Sequence, residues 1–538
     1  MKRFVFVVTI SLVLGVGVTA ALLQFLSRTA LVFAENGVRY VAVDGDDAQD
    51  CSTAAARCQT IQRAVDVAGA GELIKVAAGT YSAVQERPSA SGYHGSAMVT
   101  QVVYISTAVT IRGGYTITND FAEPPTAVAV LSPQGQGRGI YIAPGVTVTL
   151  EGLHLVDGNA AGFGGGGAPT YQDAGGALYA DRATATISGC LFAHNTSEQA
   201  GALFINSGAF NLQNSVITAN AATVSNAGGM YIQSLQTGSI SHNSLLSNTA
   251  VSNGGGLYMA YGQSDILFSD NDFIGNEAGG DGGGIFWAST STFGSNRVMN
   301  NSAGFNGGGL SVNGRSSLID SNVFTGNDAA YYGGGVCSSR DTAVFRANTV
   351  ISNTSGRDGG GLLLNMSEGL LENNIVAQNR VGSGESGAGI YIWGGSPRLV
   401  HTTLAQNMGG DGSGVYIRDY LGDPGSAALT NTILVSQTIG FYAEISNTAT
   451  FNGVLWYGNT TANVGGSGTV TVSQAYTGSP AFVNPGGWDY HIHVTSAAKD
   501  RGVSAGAADD IDGDPRLGIP DIGADEYVVH SYLPVILR

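Results

Sequence analysis

Apolar residues along this chain come in short runs of three to six, alternating with polar neighbours and broken by Gly or Asn, and the punctuation returns about every 26 residues. Its clearest mark is a glycine cluster followed by an apolar residue, as in GGALY, AGALF, GGMY, GGGLY, GGGIF, GGGVC, GGGLL and GSGVY. That mark places Leu178, Leu203, Met230, Leu257, Ile285, Leu310, Val336, Leu362, Ile390 and Val415 in one register. A series of Asn residues (Asn195, Asn220, Asn248, Asn276, Asn301, Asn327, Asn353, Asn379, Asn407) precedes those marks by eight to eleven residues. A second series (Asn243, Asn271, Asn296, Asn322, Asn348, Asn374) lies five residues earlier again.

A repeat of this length is too short for a helical hairpin, which needs about 33 residues or more. Apolar stretches this short are strands. The pattern therefore predicts an all-β, single-stranded right-handed parallel β-helix of about 26 residues per coil, with three strands and three turns closing each triangular coil. Stacked at roughly 4.8 Å, equivalent residues form ladders. Asn at one corner is expected to take the left-handed conformation and to hydrogen-bond its copy in the next coil, while Gly at another permits positive φ and close approach. Both ladders have a sufficient structural role and are assigned no catalytic one.

An open solenoid needs its ends closed. Ile61, Ala64, Val65 and Ala68 fall at helical spacing before Gly69 and Gly71, which predicts a short N-terminal capping helix. The chain divides into an apolar leader (1–34), an N-terminal cap with the first coils (35–125), the β-helix repeats (126–475), a C-terminal module (476–530) and a short apolar tail (531–538).

Composition adds the compartment. Lys2 and Arg3 precede an apolar run from Phe4 to Leu26, and Val32 and Ala34 stand where a signal peptidase cuts. A cleaved signal is the favoured reading. The run is also long enough for a retained membrane anchor, which needs about 20 residues, so any membrane contact is expected only through this segment. Cys51 and Cys58, in a polar turn-rich segment, are expected to close a short disulfide loop in an oxidising compartment, whereas Cys190 and Cys337 read as small side chains on repeat positions. Charged residues are 12% of the chain and the formal charge is −17, which disfavours nucleic acid as a partner. The expected location is extracellular or at the cell surface.

The stretch from Tyr40 to Tyr81, with DGDD, the two cysteines, TIQRAV and IKVAAGTY, resembles the N-terminal part of pectin-lyase-like right-handed β-helix proteins, and the repeats continue the resemblance to about Leu455. The segment Phe482 to Tyr527, reading FVNPGGWDYHIHV, DDIDGDPR and DIGADEY, resembles the choice-of-anchor Q module of bacterial surface proteins and implies display outside the cell. It departs from that family at SAAKDRG, Ser496 to Gly502. FIGN and FTGN before glycine clusters are also similar to repeats of chlamydial polymorphic outer-membrane adhesins, although no terminal β-barrel pattern accompanies them. Pectate lyases use clustered Asp with an Arg base, and polygalacturonases use three Asp with Gly-His-Gly and Arg-Ile-Lys. Neither pattern is present, and Lys is absent from the repeats.

In the strand after the glycine corner, the residue following each register mark faces outward if the mark faces the core. That row holds Tyr179, Phe204, Tyr231, Tyr258, Phe286, Tyr391 and Tyr416, a candidate platform for sugar rings. Covering loops, with the insertion at Gly162 to Asp173 as the candidate, or rings stacked as a ladder form the competing and slightly favoured reading. Before the glycine corner a second row includes Asn253, Asp281, Asn306, Asp358 and Asp411, which could offer oxygens to a carbohydrate or to calcium, although turn chemistry alone favours these residues there. Asp510, Asp512 and Asp514 around Gly513 resemble the start of a calcium loop, the only cofactor the sequence suggests, against a solvated acidic turn. His491 and His493 share one face of a strand, and a zinc site there would need further ligands. The favoured function is non-catalytic binding of a polysaccharide or another surface through the aromatic row. The alternatives are a polysaccharide lyase or glycoside hydrolase with an unfamiliar site, and a structural envelope protein or adhesin.

Overall fold

The computed structural model describes residues 37–166, 172–262, 265–314 and 316–528. The apolar leader (1–34) and the tail (531–538) lie outside them. The chain forms a right-handed parallel β-helix of about 13 coils, at roughly 26 residues each. Every register mark inferred from the glycine clusters pairs with its copy, from Leu178↔Leu203 to Ile390↔Val415. The ladder extends back to Val103 and Ile140 and on to Phe441 and Val464. All ten marks are buried, and the fully buried rings of Trp287, Phe268, Phe273 and Phe293 pack against one another in the interior.

Among the described residues, eight coils add a short two-residue strand to the three sides expected. In one coil the strands are Leu257–Gly262, Asp265–Ser269, Asp272–Ile274 and the two-residue Glu277–Ala278. Eight such short fourth strands make their own sheet. Their buried residue is small in seven of the eight (Ser197, Ala222, Ala250, Ala278, Ala303, Ala329, Ser355) and Val381 in the last. The glycine cluster follows. Gly282 has φ +69°, and a Cβ on Gly283 would lie 2.4 Å from the carbonyl oxygen of Ser302 in the next coil, so the corner admits no side chain.

The Asn series are buried ladders. Asn276 Nδ2 donates to Asn301 Oδ1 (3.0 Å) and to the Leu245 carbonyl (2.9 Å), while its own Oδ1 accepts from the backbone N–H and the Nδ2 of Asn248 (both 3.0 Å). The left-handed residue is the one before each ladder Asn, such as Ser247, Asn300, Ser352 and Gln378, and not the ladder Asn as the sequence suggested. The preceding residue turns the chain, and the Asn then points inward to satisfy groups that the turn leaves unpaired.

Helix α1 (Ile61–Val67) is capped by Thr60 Oγ1, which accepts from the Arg63 N–H at 3.1 Å, and buries Ile61, Ala64 and Val65. Gln62 seals the sheet end: its Oε1 accepts from the Tyr104 N–H (2.6 Å) and its Nε2 donates to the Tyr104 carbonyl (3.1 Å), standing in for a missing strand. Cys51 and Cys58 form the expected disulfide, and Cys190 and Cys337 are free and buried.

After the strand Thr469–Thr477 the chain turns back along the solenoid flank. Tyr490, Ile492, Ala498, Ile522 and Ala524 bury the outer faces of five consecutive third strands at Ile351, Ile375, Ala405, Ile433 and Leu455. Asn431 fastens this module: its carbonyl accepts from the Gly523 N–H (2.9 Å) and its Oδ1 from the Val503 N–H (2.8 Å).

Candidate functional site

The aromatic row does project outward from the core, but its rings face one another. Tyr104, Tyr141, Tyr179, Phe204, Tyr231, Tyr258 and Phe286 form one stack with centroids 4.8–5.4 Å apart and planes within 16°. Tyr391, Tyr416 and Tyr442 form a second, separated from the first by Ser311, Cys337 and Leu363 in the same row. Phe204 is fully buried, Tyr179, Tyr231, Phe286 and Tyr391 are buried, and Tyr258 and Tyr416 are half-buried, as are Tyr104 and Tyr442. A platform for sugars needs free ring faces, and between neighbours in these stacks the faces are already used. Part of the first stack is covered: Tyr93, from an earlier segment, packs edge-on against Tyr141 and Tyr179 and donates to the Phe163 carbonyl of the insertion at 2.6 Å, and Tyr179 donates to the insertion's Gly165 carbonyl at 3.2 Å. The fully buried Arg138 guanidinium lies over the rings of Phe163 (5.4 Å) and Tyr179 (5.2 Å).

The polar row is partly spent on the corner itself. Asn253 Oδ1 accepts from the Asp281 N–H (2.7 Å), Asp281 Oδ1 from the Asn306 N–H (3.0 Å), and Asp358 Oδ1 from the Ser386 N–H (2.7 Å). Asp411 caps Ser413 within its own coil, accepting from the Ser413 N–H at 2.9 Å. Asn306 Oδ1 is buried without a partner. Burial raises the Asp281 carboxyl above its usual range. Burial also pushes Asp358 up to about 6, with Glu385 and Asp411 adding to the shift, while the Ser386 N–H and Arg418 oppose it.

The second half of this face carries aromatic residues that the sequence reading left out. One position before the polar row, successive coils place Ser252, Gly280, Phe305, Tyr331 and Arg357 in a backbone ladder, with N–H to carbonyl distances of 2.7–3.0 Å. Phe305 stacks on Tyr331 (4.6 Å, 13°), and the Arg357 guanidinium lies 4.5 Å over the other side of the stack. Gly280, beside Phe305 in the preceding coil, has no side chain to cover it, and Phe305 is 51% exposed. Ring contacts continue from Tyr331 to Tyr332 (6.3 Å), Trp393 (5.9 Å) and Tyr420 (5.1 Å), whose hydroxyl lies 3.3 Å from Arg340 Nη2. Arg340 lines a shallow cleft of about 430 Å³ with Asp341, Met366 and Glu368. The result is a track of planar groups crossing the first-strand face, with Asp281 and Asp358 each following a member of the ladder that begins it. Its signal in the sequence was the residue preceding each polar-row position, which is aromatic or Arg in three consecutive coils.

In the C-terminal module the three expected calcium ligands do not converge. Asp510 is buried, and its two oxygens accept from the backbone N–H groups of Asp512 (2.9 Å), Asp514 (2.8 Å) and Glu526 (2.9 Å). Asp512 instead meets His491, with Nε2 to Oδ2 at 2.7 Å.

Residues 134–327 match the family model described as right handed beta helix region. Similar solved structures include pectate lyase Pel9A (11% identity, covering 92% of this chain and 97% of that one, TM-score 0.28) and XylC in complex with xylose (10%, 91% and 98%, TM-score 0.42). A third is the GH136 lacto-N-biosidase from Eubacterium ramulus (11%, 82% and 68%, TM-score 0.32). No curated protein matches the sequence. Among the described residues no helix is long and apolar enough to cross a membrane.

Proposed function

We propose that this protein is an exported β-helix that binds an extended polysaccharide without cleaving it, on the track from Phe305 and Tyr331 to Trp393 and Tyr420. The exposed Phe305 ring, in ring-to-ring contact with that track and beside carboxylates, carries the reading. Flat rings take the apolar faces of sugars, and neighbouring carboxylates and guanidinium groups take their hydroxyls. The Cys51–Cys58 disulfide and the apolar N-terminal run support export.

The test is polysaccharide pull-down and calorimetry with the intact chain and a Phe305→Ala, Tyr331→Ala variant. Both rings lie on the outside, so the variant should keep its fold by circular dichroism and lose binding by about 30-fold, near 2 kcal/mol. Unchanged binding would remove the track from the site. A second reading, hydrolysis, is favoured by Asp358, whose carboxyl stands at about 6 beside Glu385 and Asp411. New reducing ends that disappear in Asp358→Asn would establish it.

A further inference from the structure

We propose that the C-terminal module holds one first-row divalent cation, of which zinc is the representative, on His491, Asp512 and Asp525. The site is independent of glycan binding. Its three ligands come from separate segments: the strand Asp489–Ile492, the loop carrying Asp512, and the segment carrying Asp525. One ligand atom from each lies within 4.8 Å of the others. Small side-chain adjustments bring such atoms onto a single ion, for which zinc requires bonds of about 2.0–2.2 Å to nitrogen and oxygen.

Independent features prepare these groups for a cation. His491 Nδ1 lies 2.6 Å from Asp489 Oδ1, the carboxylate–imidazole pairing that orients a metal-binding histidine and leaves Nε2 for the ion. Asp525 is only 7% exposed, and its Oδ2 accepts from the Ile492 N–H at 2.6 Å, which fixes the carboxylate next to His491. Asp510 acts as a positioning residue, since its oxygens hold the backbone N–H groups of Asp512 and Glu526 and so tie both carboxylate-bearing segments together. The His491 and Asp512 side chains remain 41% and 55% exposed, so water reaches the open side and can complete the coordination.

The donor set selects the ion. Calcium seeks six to eight oxygen atoms, whereas one imidazole nitrogen with two carboxylates suits zinc and its first-row neighbours. On binding, the ion replaces the proton of the His491–Asp512 hydrogen bond, which is released to solvent. The bound ion would join three segments of a module with little regular structure.

The experiment uses the intact chain, stripped with chelator and titrated separately with zinc and with calcium by calorimetry, with metal content measured after gel filtration. About one zinc per chain is expected, together with a higher melting temperature. Asp489→Asn should weaken zinc affinity by about 10- to 100-fold while leaving the stoichiometry unchanged, and His491→Ala should abolish uptake. Asp512→Asn, at an exposed side chain, keeps the comparison interpretable if His491→Ala fails to fold. Cobalt substitution should give visible absorption bands that Asp512→Asn removes. Absence of zinc uptake, retention of zinc in both His491→Ala and Asp512→Asn, or binding of calcium alone would each overturn the assignment.

Discussion

Asp358 sits where an earlier coil carries Asn253, and its carboxylate makes the same kind of bond to a backbone N–H in the adjoining coil. An amide performs this role at no charge cost, whereas a half-buried carboxylate loses hydration on ionising. Its folded-state value of about 6 lies above the unfolded value of about 4, so its contribution to stability is full below pH 4 and is lost as pH rises through 6. Asp358→Asn should therefore stabilise the protein at pH 7.5 by about 1–2 kcal/mol, a figure reduced for solvent screening at a partly exposed group, and by much less at pH 4. Thermal unfolding at the two pH values measures this. An equal effect at both would show that ionisation is not the cause.

At the scale of elements, the outward aromatic row works as a brace between coils. Phe204 is fully buried, with Tyr179 at 5.3 Å on one side and Tyr231 at 5.4 Å on the other. Phe204→Ala leaves a cavity in that stack and should cost about 3–4 kcal/mol. Urea unfolding followed by tyrosine fluorescence gives the value, and a loss below 1 kcal/mol would mean that the stack relaxes freely. Loss of glycan binding in such a variant would be uninformative without this measurement, because the row contributes to the fold. The exposed Phe305–Tyr331 pair is the cleaner place to test recognition.

At the scale of the whole molecule, the C-terminal module acts as a clasp over five coils. The flank beneath it is apolar at Ile351, Ile375, Ala405, Ile433 and Leu455, so the clasp protects surface that would otherwise promote association. Tyr490 is its anchor: the ring is buried, and its hydroxyl donates to Gln406 Oε1 (2.8 Å) and accepts from Gln378 Nε2 (2.9 Å). Tyr490→Ala should loosen the clasp first, so limited proteolysis would cut between Gly478 and Tyr527 while the solenoid stays intact. Cleavage starting within the repeats would contradict that order.

The sequence alone determined the coil period, the register marks, the interior ladders, the capping helix and the Cys51–Cys58 pairing. Each is written in local spacing, and one-dimensional stacking repeats local spacing without long-range choices. Register marks from Leu178 to Val415 therefore pair as their spacing implies. The two-residue fourth strands escaped notice because so short a run has no periodicity of its own. Only the tertiary structure decided what happens to outward-facing groups. Whether Tyr179 meets a sugar or another ring depends on coil stacking and on Tyr93 and Arg138 packing against it from other segments. The same reason accounts for the C-terminal acids: spacing pointed to Asp510, Asp512 and Asp514, whereas chain folding turns Asp510 onto backbone amides and brings His491 and Asp525 to Asp512. Interior positions are dictated by the period, and exterior contacts by which distant segments fold across them.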